Sequence, residues 1–65
     1  MRIQVNGSWR DVASAVLAAA LGDLGYADAV VTTAVNGEFV AAEARARTQL
    51  AEGDRLEVLA PMQGG

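Results

Sequence analysis

Two Asn-Gly pairs, Asn6-Gly7 and Asn36-Gly37, constrain this chain more than any other feature of its sequence. Both residue types accept a positive φ, which the two-residue type I′ hairpin turn demands at both central positions. Each pair sits between strand-like residues. Arg2-Ile3-Gln4-Val5 alternates polar and apolar side chains before the first pair, and Ser8-Trp9-Arg10 returns after it. This predicts a hairpin with Ile3 and Val5 on the buried face. Trp9 is expected to pack on that hairpin, with a partner contact as the alternative. Ala29 to Val35 is apolar and β-branched and reads as a central strand, and Glu38-Phe39-Val40 follows the second pair. A second hairpin is predicted there.

The segments between and after the hairpins complete a pattern. Asp11 reads as the N-cap of a helix beginning with Val12 and running through the Ala-rich stretch to Leu21. Val16, Leu17, Ala20, Leu21 and Leu24 fall at helical spacing and form one apolar stripe. Gly25 reads as the left-handed cap, and Tyr26-Ala27-Asp28 as a connection. Ala41 to Gln49 has weak periodicity and reads as a short helical turn or a loop. Glu52-Gly53-Asp54 marks a turn before Arg55-Leu56-Glu57-Val58-Leu59, an alternating strand with Leu56 and Val58 inward. Pro61 stops that strand, because it has no amide hydrogen for a ladder. The predicted order is β-β-α-β-β-β. This is an α+β chain with the pattern of the ubiquitin-like β-grasp, a mixed four- or five-stranded sheet with one main helix. Residues 1–60 read as the folded domain and 61–65 as a flexible C-terminal tail.

Composition narrows what such a domain can do. With 65 residues there is room for one domain, and a chain this size buries only about 60% of the surface its unfolded form exposes. A deep enzyme pocket is therefore not expected. The single Trp, Tyr and Phe leave the core to Ile, Val, Leu and 14 Ala. Absence of Cys and His excludes disulfides, thiol nucleophiles, Ser-His dyads and the usual Cys/His zinc sites. Glu52 and Asp54 flank Gly53 without a third ligand or base in view, so they read as a solvated turn rather than a metal site. Neither Asn-Gly pair resembles a phosphate loop. The formal charge is −3, from five Arg, no Lys and eight acids, which disfavours nucleic-acid binding. No run approaches the ~18 apolar residues of a membrane span, and the first residues lack a signal-peptide layout, so a cytoplasmic protein is expected.

The ending, Met62-Gln63-Gly64-Gly65, is the second informative feature. Gly is about 7% of average usage, so a terminal pair falls by chance in roughly 0.5% of chains. Two residues without Cβ form a strand of backbone narrow enough to thread into another protein's active site. A bulky residue in place of Gly64 is expected to hurt that threading more than folding. Met62 and Gln63 are candidate anchors in a partner groove. Leu59, facing outward, is a candidate for a docking patch on the sheet. Phe39 is a second candidate for it, although the core is the favoured position for Phe39.

Taken together, these residues resemble the ThiS family, the sulfur carriers of thiamine biosynthesis. The matching pieces are Ile3-Gln4-Val5-Asn6-Gly7, Val35-Asn36-Gly37-Glu38-Phe39-Val40, and Glu52-Gly53-Asp54-Arg55-Leu56-Glu57-Val58-Leu59 running into Met62-Gln63-Gly64-Gly65. The resemblance spans nearly the whole chain. Where such proteins often carry Pro-Arg after the central hairpin, this chain has Ala41-Ala42, which leaves Arg45 and Arg47 as candidates for the arginine's contact.

The resemblance implies a carrier rather than an enzyme. A ubiquitin-activator-like adenylyltransferase (ThiF-like) would use ATP and Mg²⁺ to convert the Gly65 carboxylate to an acyl-adenylate. Sulfur from a persulfide donor would displace AMP to leave a thiocarboxylate, and thiazole synthase (ThiG-like) would receive the sulfur. The chemistry explains the need for ATP: a carboxylate repels nucleophiles and has only oxide to expel, so adenylation supplies a leaving group. No cofactor is expected to stay bound to the carrier. Carriers of molybdopterin or cysteine synthesis and ubiquitin-like protein modifiers share the same ending and are the alternatives. A β-grasp interaction domain with an idle tail is another.

Overall fold

Both Asn-Gly pairs are hairpin turns with positive φ at each residue: 50° and 88° at Asn6 and Gly7, 51° and 85° at Asn36 and Gly37. The computed structural model describes residues 1–60, so every expectation for residues 61–65 lies outside the described residues. The first turn joins β1 (Arg2–Val5) to β2 (Ser8–Asp11), and the second joins β3 (Thr32–Val35) to β4 (Glu38–Val40). A helix, α1 (Leu17–Asp23), lies between the hairpins, and a 3₁₀ helix (Ala42–Arg47) leads toward β5 (Arg55–Leu59). The five strands form one mixed sheet in the order β2-β1-β5-β3-β4.

The centre of that sheet is β5, not the segment ending at Val35. β5 pairs parallel with β1 through Gln4↔Arg55 and Val5↔Leu56, and antiparallel with β3 from Thr32↔Leu59 to Val35↔Leu56. With both flanks paired, alternation buries Leu56 and Val58 and leaves Arg55, Glu57 and Leu59 outward, as the sequence predicts. β3 is also shorter than expected. It begins at Thr32, and Val30 before it is 80% exposed.

The helix starts five residues later than predicted. Asp11 caps nothing, because it is the last residue of β2 and stands opposite Arg2. Val12 donates its N–H to Met1 O, and Ala13 and Ser14 donate theirs to Asp23 Oδ2. Val16 bridges Gln49. Long-range partners thus use the backbone groups that a helix over 12–16 would have needed, and helix propensity yields to them. The C-terminus is as expected. Gly25 has φ +94°, and Tyr26 N–H reaches back to Leu21 O at 2.8 Å, the six-to-one bond of a Schellman end.

One face of the sheet is sealed. Ile3, Val5, Leu56 and Val58 from the strands join Leu17, Ala20 and Leu21 from α1, with Val12, Val31 and Leu50, in a single buried cluster. Burying each of the larger side chains stabilises the fold by about 1.5–3 kcal/mol. Leu50 belongs to the aperiodic connection and is pinned there by its N–H, which donates to Ala15 O at 2.6 Å. Thr33 is the buried polar residue of this core. Its hydroxyl donates to Val40 O at 2.8 Å and accepts from Arg45 Nε at 3.0 Å.

Candidate functional site: the open face of the sheet

Strand register decides which side chains share the uncovered face. Thr33 and Val40 stand opposite each other and face the core, so Ala34 and Phe39, one residue along, face away from it. Phe39 is therefore 70% exposed. The favoured core position for Phe39 is overturned, because strand parity outranks side-chain size and Val40 already holds the inward place. Register carries the same face across β5 to Glu57, and one step further places Leu59 beside Thr32. Leu59 is 65% exposed, as expected.

These residues meet. Phe39 and Leu59 line one shallow depression of about 170 Å³ with Thr32, Thr33, Ala34 and Glu57. It borders the point where the described chain leaves β5. A second depression, about 390 Å³, lies between the two hairpin turns and is lined by Gln4, Asn6, Gly7, Gly37, Arg55, Leu56 and Glu57. Although larger, it is the more polar of the two and does not reach Leu59. The apolar depression is the better candidate for protein docking, because contiguous exposed apolar surface marks such sites.

Trp9 adds a third large apolar side chain to this face. It stands opposite Gln4, is 51% exposed, and stacks under Arg2, whose guanidinium carbon lies 5.4 Å from the ring centroid. It packs on its own hairpin, but through this cation–π contact and not through the core.

The candidate arginines separate. Arg45 is half-buried and committed to the fold, with Nε donating to Thr33 Oγ1 and Nη2 donating to Val31 O at 2.6 Å. Arg47 is exposed and donates to Glu43 O at 3.3 Å, which leaves it the more available for a partner. Glu52 and Asp54 act as turn acceptors. Glu52 Oε1 accepts from Arg2 N–H, and Asp54 accepts from Ala51 N–H and Asn36 Nδ2. Among the described residues no group of three or more acids could hold a metal ion. Nor is any helix among them long and apolar enough to cross a membrane.

In the sequence the two asparagines read as turn residues. Their side chains also bind β5: Asn6 reaches Val58 through both amide atoms, and Asn36 Oδ1 accepts from Arg55 N–H. Met62, Gln63, Gly64 and Gly65 lie outside the described residues.

A mixed sheet in the order β2-β1-β5-β3-β4, with one helix packed on one face and an apolar depression on the other, defines a ubiquitin-like β-grasp protein. The ThiS family model matches residues 3–65, and the chain belongs to the ThiS family. Its fold is similar to the crystal structure of the thiamine biosynthesis protein ThiS from Geobacter metallireducens, with a TM-score of 0.80 and 36% sequence identity over 100% of both chains. Among curated proteins none matches the chain.

Proposed function

We propose that this protein is the sulfur carrier that supplies thiazole formation in thiamine biosynthesis, with the Gly65 carboxyl carbon as the reacting atom. A ubiquitin-activator-like adenylyltransferase uses ATP and Mg²⁺ to convert that carboxylate to an acyl-adenylate, releasing pyrophosphate. The terminal sulfur of a persulfide displaces AMP to form an acyl disulfide, a thiol then cleaves its S–S bond to release the thiocarboxylate and leave a disulfide on the donor, and the thiocarboxylate gives its sulfur to thiazole synthase. The observation that carries this reading is the family match, which continues through both terminal glycines to residue 65. The similarity to a thiamine biosynthesis ThiS structure supports the same pathway.

The described residues fit a co-substrate better than a catalyst. Glu52 and Asp54 are occupied by turn hydrogen bonds, and Arg45 by the core. The exposed Phe39–Leu59 surface offers a docking patch beside the end of β5. Docking there holds the body while the narrow Gly64-Gly65 backbone enters the partner's site.

Reconstituted thiazole formation with the adenylyltransferase, ATP, a persulfide donor and thiazole synthase tests the proposal. Full-length protein is expected to support product formation, and deletion of Gly65 to abolish it while leaving the thermal unfolding curve unchanged. Gly64→Leu is expected to block adenylation without altering folding. Product formation by the Gly65 deletion would overturn the assignment.

A further inference from the structure

The end of β5 is held by a side chain that takes the place of backbone. β1 pairs with β5 only at Gln4↔Arg55 and Val5↔Leu56, and Asn6 N–H gives the next ladder bond, to Leu56 O at 3.0 Å. At Asn6 the chain enters the left-handed region and turns away toward β2. The backbone of β1 therefore does not continue alongside Val58. The Asn6 carboxamide fills that position: Oδ1 accepts from Val58 N–H at 2.9 Å, and Nδ2 donates to Val58 O at 3.0 Å. One planar amide, the chemical equivalent of a peptide group, extends the parallel ladder by a step.

Val58 lies two residues before Ala60, the last described residue. On the other flank the β3 ladder reaches Leu59 through its pairing with Thr32, and Thr32 Oγ1 also donates to Leu59 O at 3.4 Å. The Asn6 pair is thus what holds the strand's end from the β1 flank, where no backbone partner stands beside Val58. We propose that Asn6 is a positioning residue for chemistry at the C-terminus: by holding Val58 it fixes the direction in which the chain leaves the sheet beside the Phe39–Leu59 surface. This rests on the carrier function proposed above. Reacting groups must be brought within about 3–3.5 Å, and a misplacement of about 1 Å costs on the order of 100-fold in rate. With the body docked through its sheet face, the direction of Val58 to Ala60 sets the point from which the tail starts toward the partner's site.

Asn36 is the internal control. It occupies the same turn position at φ 51°, and its side chain also binds β5, but at the strand's start, accepting from Arg55 N–H at 2.9 Å and donating to Asp54 Oδ1 at 3.0 Å. Asn6→Gly and Asn36→Gly each remove one carboxamide and keep a residue that tolerates positive φ. The two variants are compared by ATP–pyrophosphate exchange on the adenylyltransferase at varied carrier concentration, with amide hydrogen exchange at Val58 measured in parallel.

For Asn6→Gly the expected result is a kcat lowered by about 10-fold or more with KM for the carrier within about threefold. Val58 exchange should accelerate as well. For Asn36→Gly, kcat should stay within about twofold, although its unfolding temperature falls by a similar amount. Asn6→Asp keeps the acceptor for Val58 N–H but sets a carboxylate oxygen against Val58 O, and its kcat should fall between wild type and Asn6→Gly. It carries the comparison if Asn6→Gly does not fold. Equal kcat values for the Asn6 and Asn36 variants would overturn the positioning role. Absence of exchange with the unaltered protein would instead overturn the carrier reading on which this role depends.

Discussion

The two faces of the sheet are built from the same strands and differ only in parity. On the sealed face, Ile3, Val5, Thr33, Leu56 and Val58 are all buried, and the Thr33 hydroxyl both donates and accepts. On the open face, Trp9, Phe39 and Leu59 stand at least half exposed. Shifting by one residue along β5 takes a side chain from the sealed core to the open face, where the proposed docking patch lies. If the open face is the docking surface proposed above, stability and recognition are separable by mutation in this small domain.

The largest effect should come from the sealed face. Leu56→Ala is expected to cost about 2–5 kcal/mol through lost burial and an unfilled cavity. In a domain of this size each kcal/mol shifts the unfolding midpoint by about 4–8 °C, so circular dichroism should record a fall of ~10 °C or more. A fall no larger than that of Phe39→Ala would break the distinction between the faces. Arg45→Met comes next. It leaves the Val31 carbonyl without its charged donor and is expected to cost about 1.5–3 kcal/mol, whereas Arg47→Met should stay within about 0.5 kcal/mol. Urea denaturation of the pair checks this.

On the open face the expectation reverses. Phe39→Ala and Leu59→Ala should each alter stability by about 0.5 kcal/mol or less, yet weaken binding to the adenylyltransferase by about 1 kcal/mol or more, roughly fivefold in Kd. Calorimetric titration measures the binding, and unchanged affinity in both variants would remove the docking role from this face. Smallest is Arg2→Ala, expected to lose about 0.5–1 kcal/mol from the exposed Arg2–Trp9 contact. Trp9 fluorescence, which reports the ring's surroundings, should shift in that variant while the far-ultraviolet spectrum stays the same.

Much of this arrangement was legible in the sequence because its signals are local. Asn-Gly names a type I′ turn by the φ values it tolerates, and Arg55 to Leu59 declares its inward residues by alternation. The resemblance to ThiS, resting on those motifs and on the ending, anticipated the family. What was not legible depends on distant partners. Asp11 looks like a cap until its pairing with Arg2 is known, and the N–H groups of Ala13 and Ser14 are claimed by Asp23 from the far end of the helix. The outward position of Phe39 follows from its register opposite Ala34, which its residue type does not give. The Asn6–Val58 bonds join residues 52 positions apart, and no local pattern announces them.

The proposed function turns on one atom, the carboxyl carbon of Gly65, which it assigns to activation by a partner enzyme. Intact-mass measurement after incubation with the adenylyltransferase, ATP, Mg²⁺ and a persulfide donor tests it most directly. The account predicts a mass gain equal to the exchange of one oxygen for one sulfur, localised to Gly65 and absent without ATP. An unchanged mass, or Gly65 joined to lysines of other proteins, would contradict it.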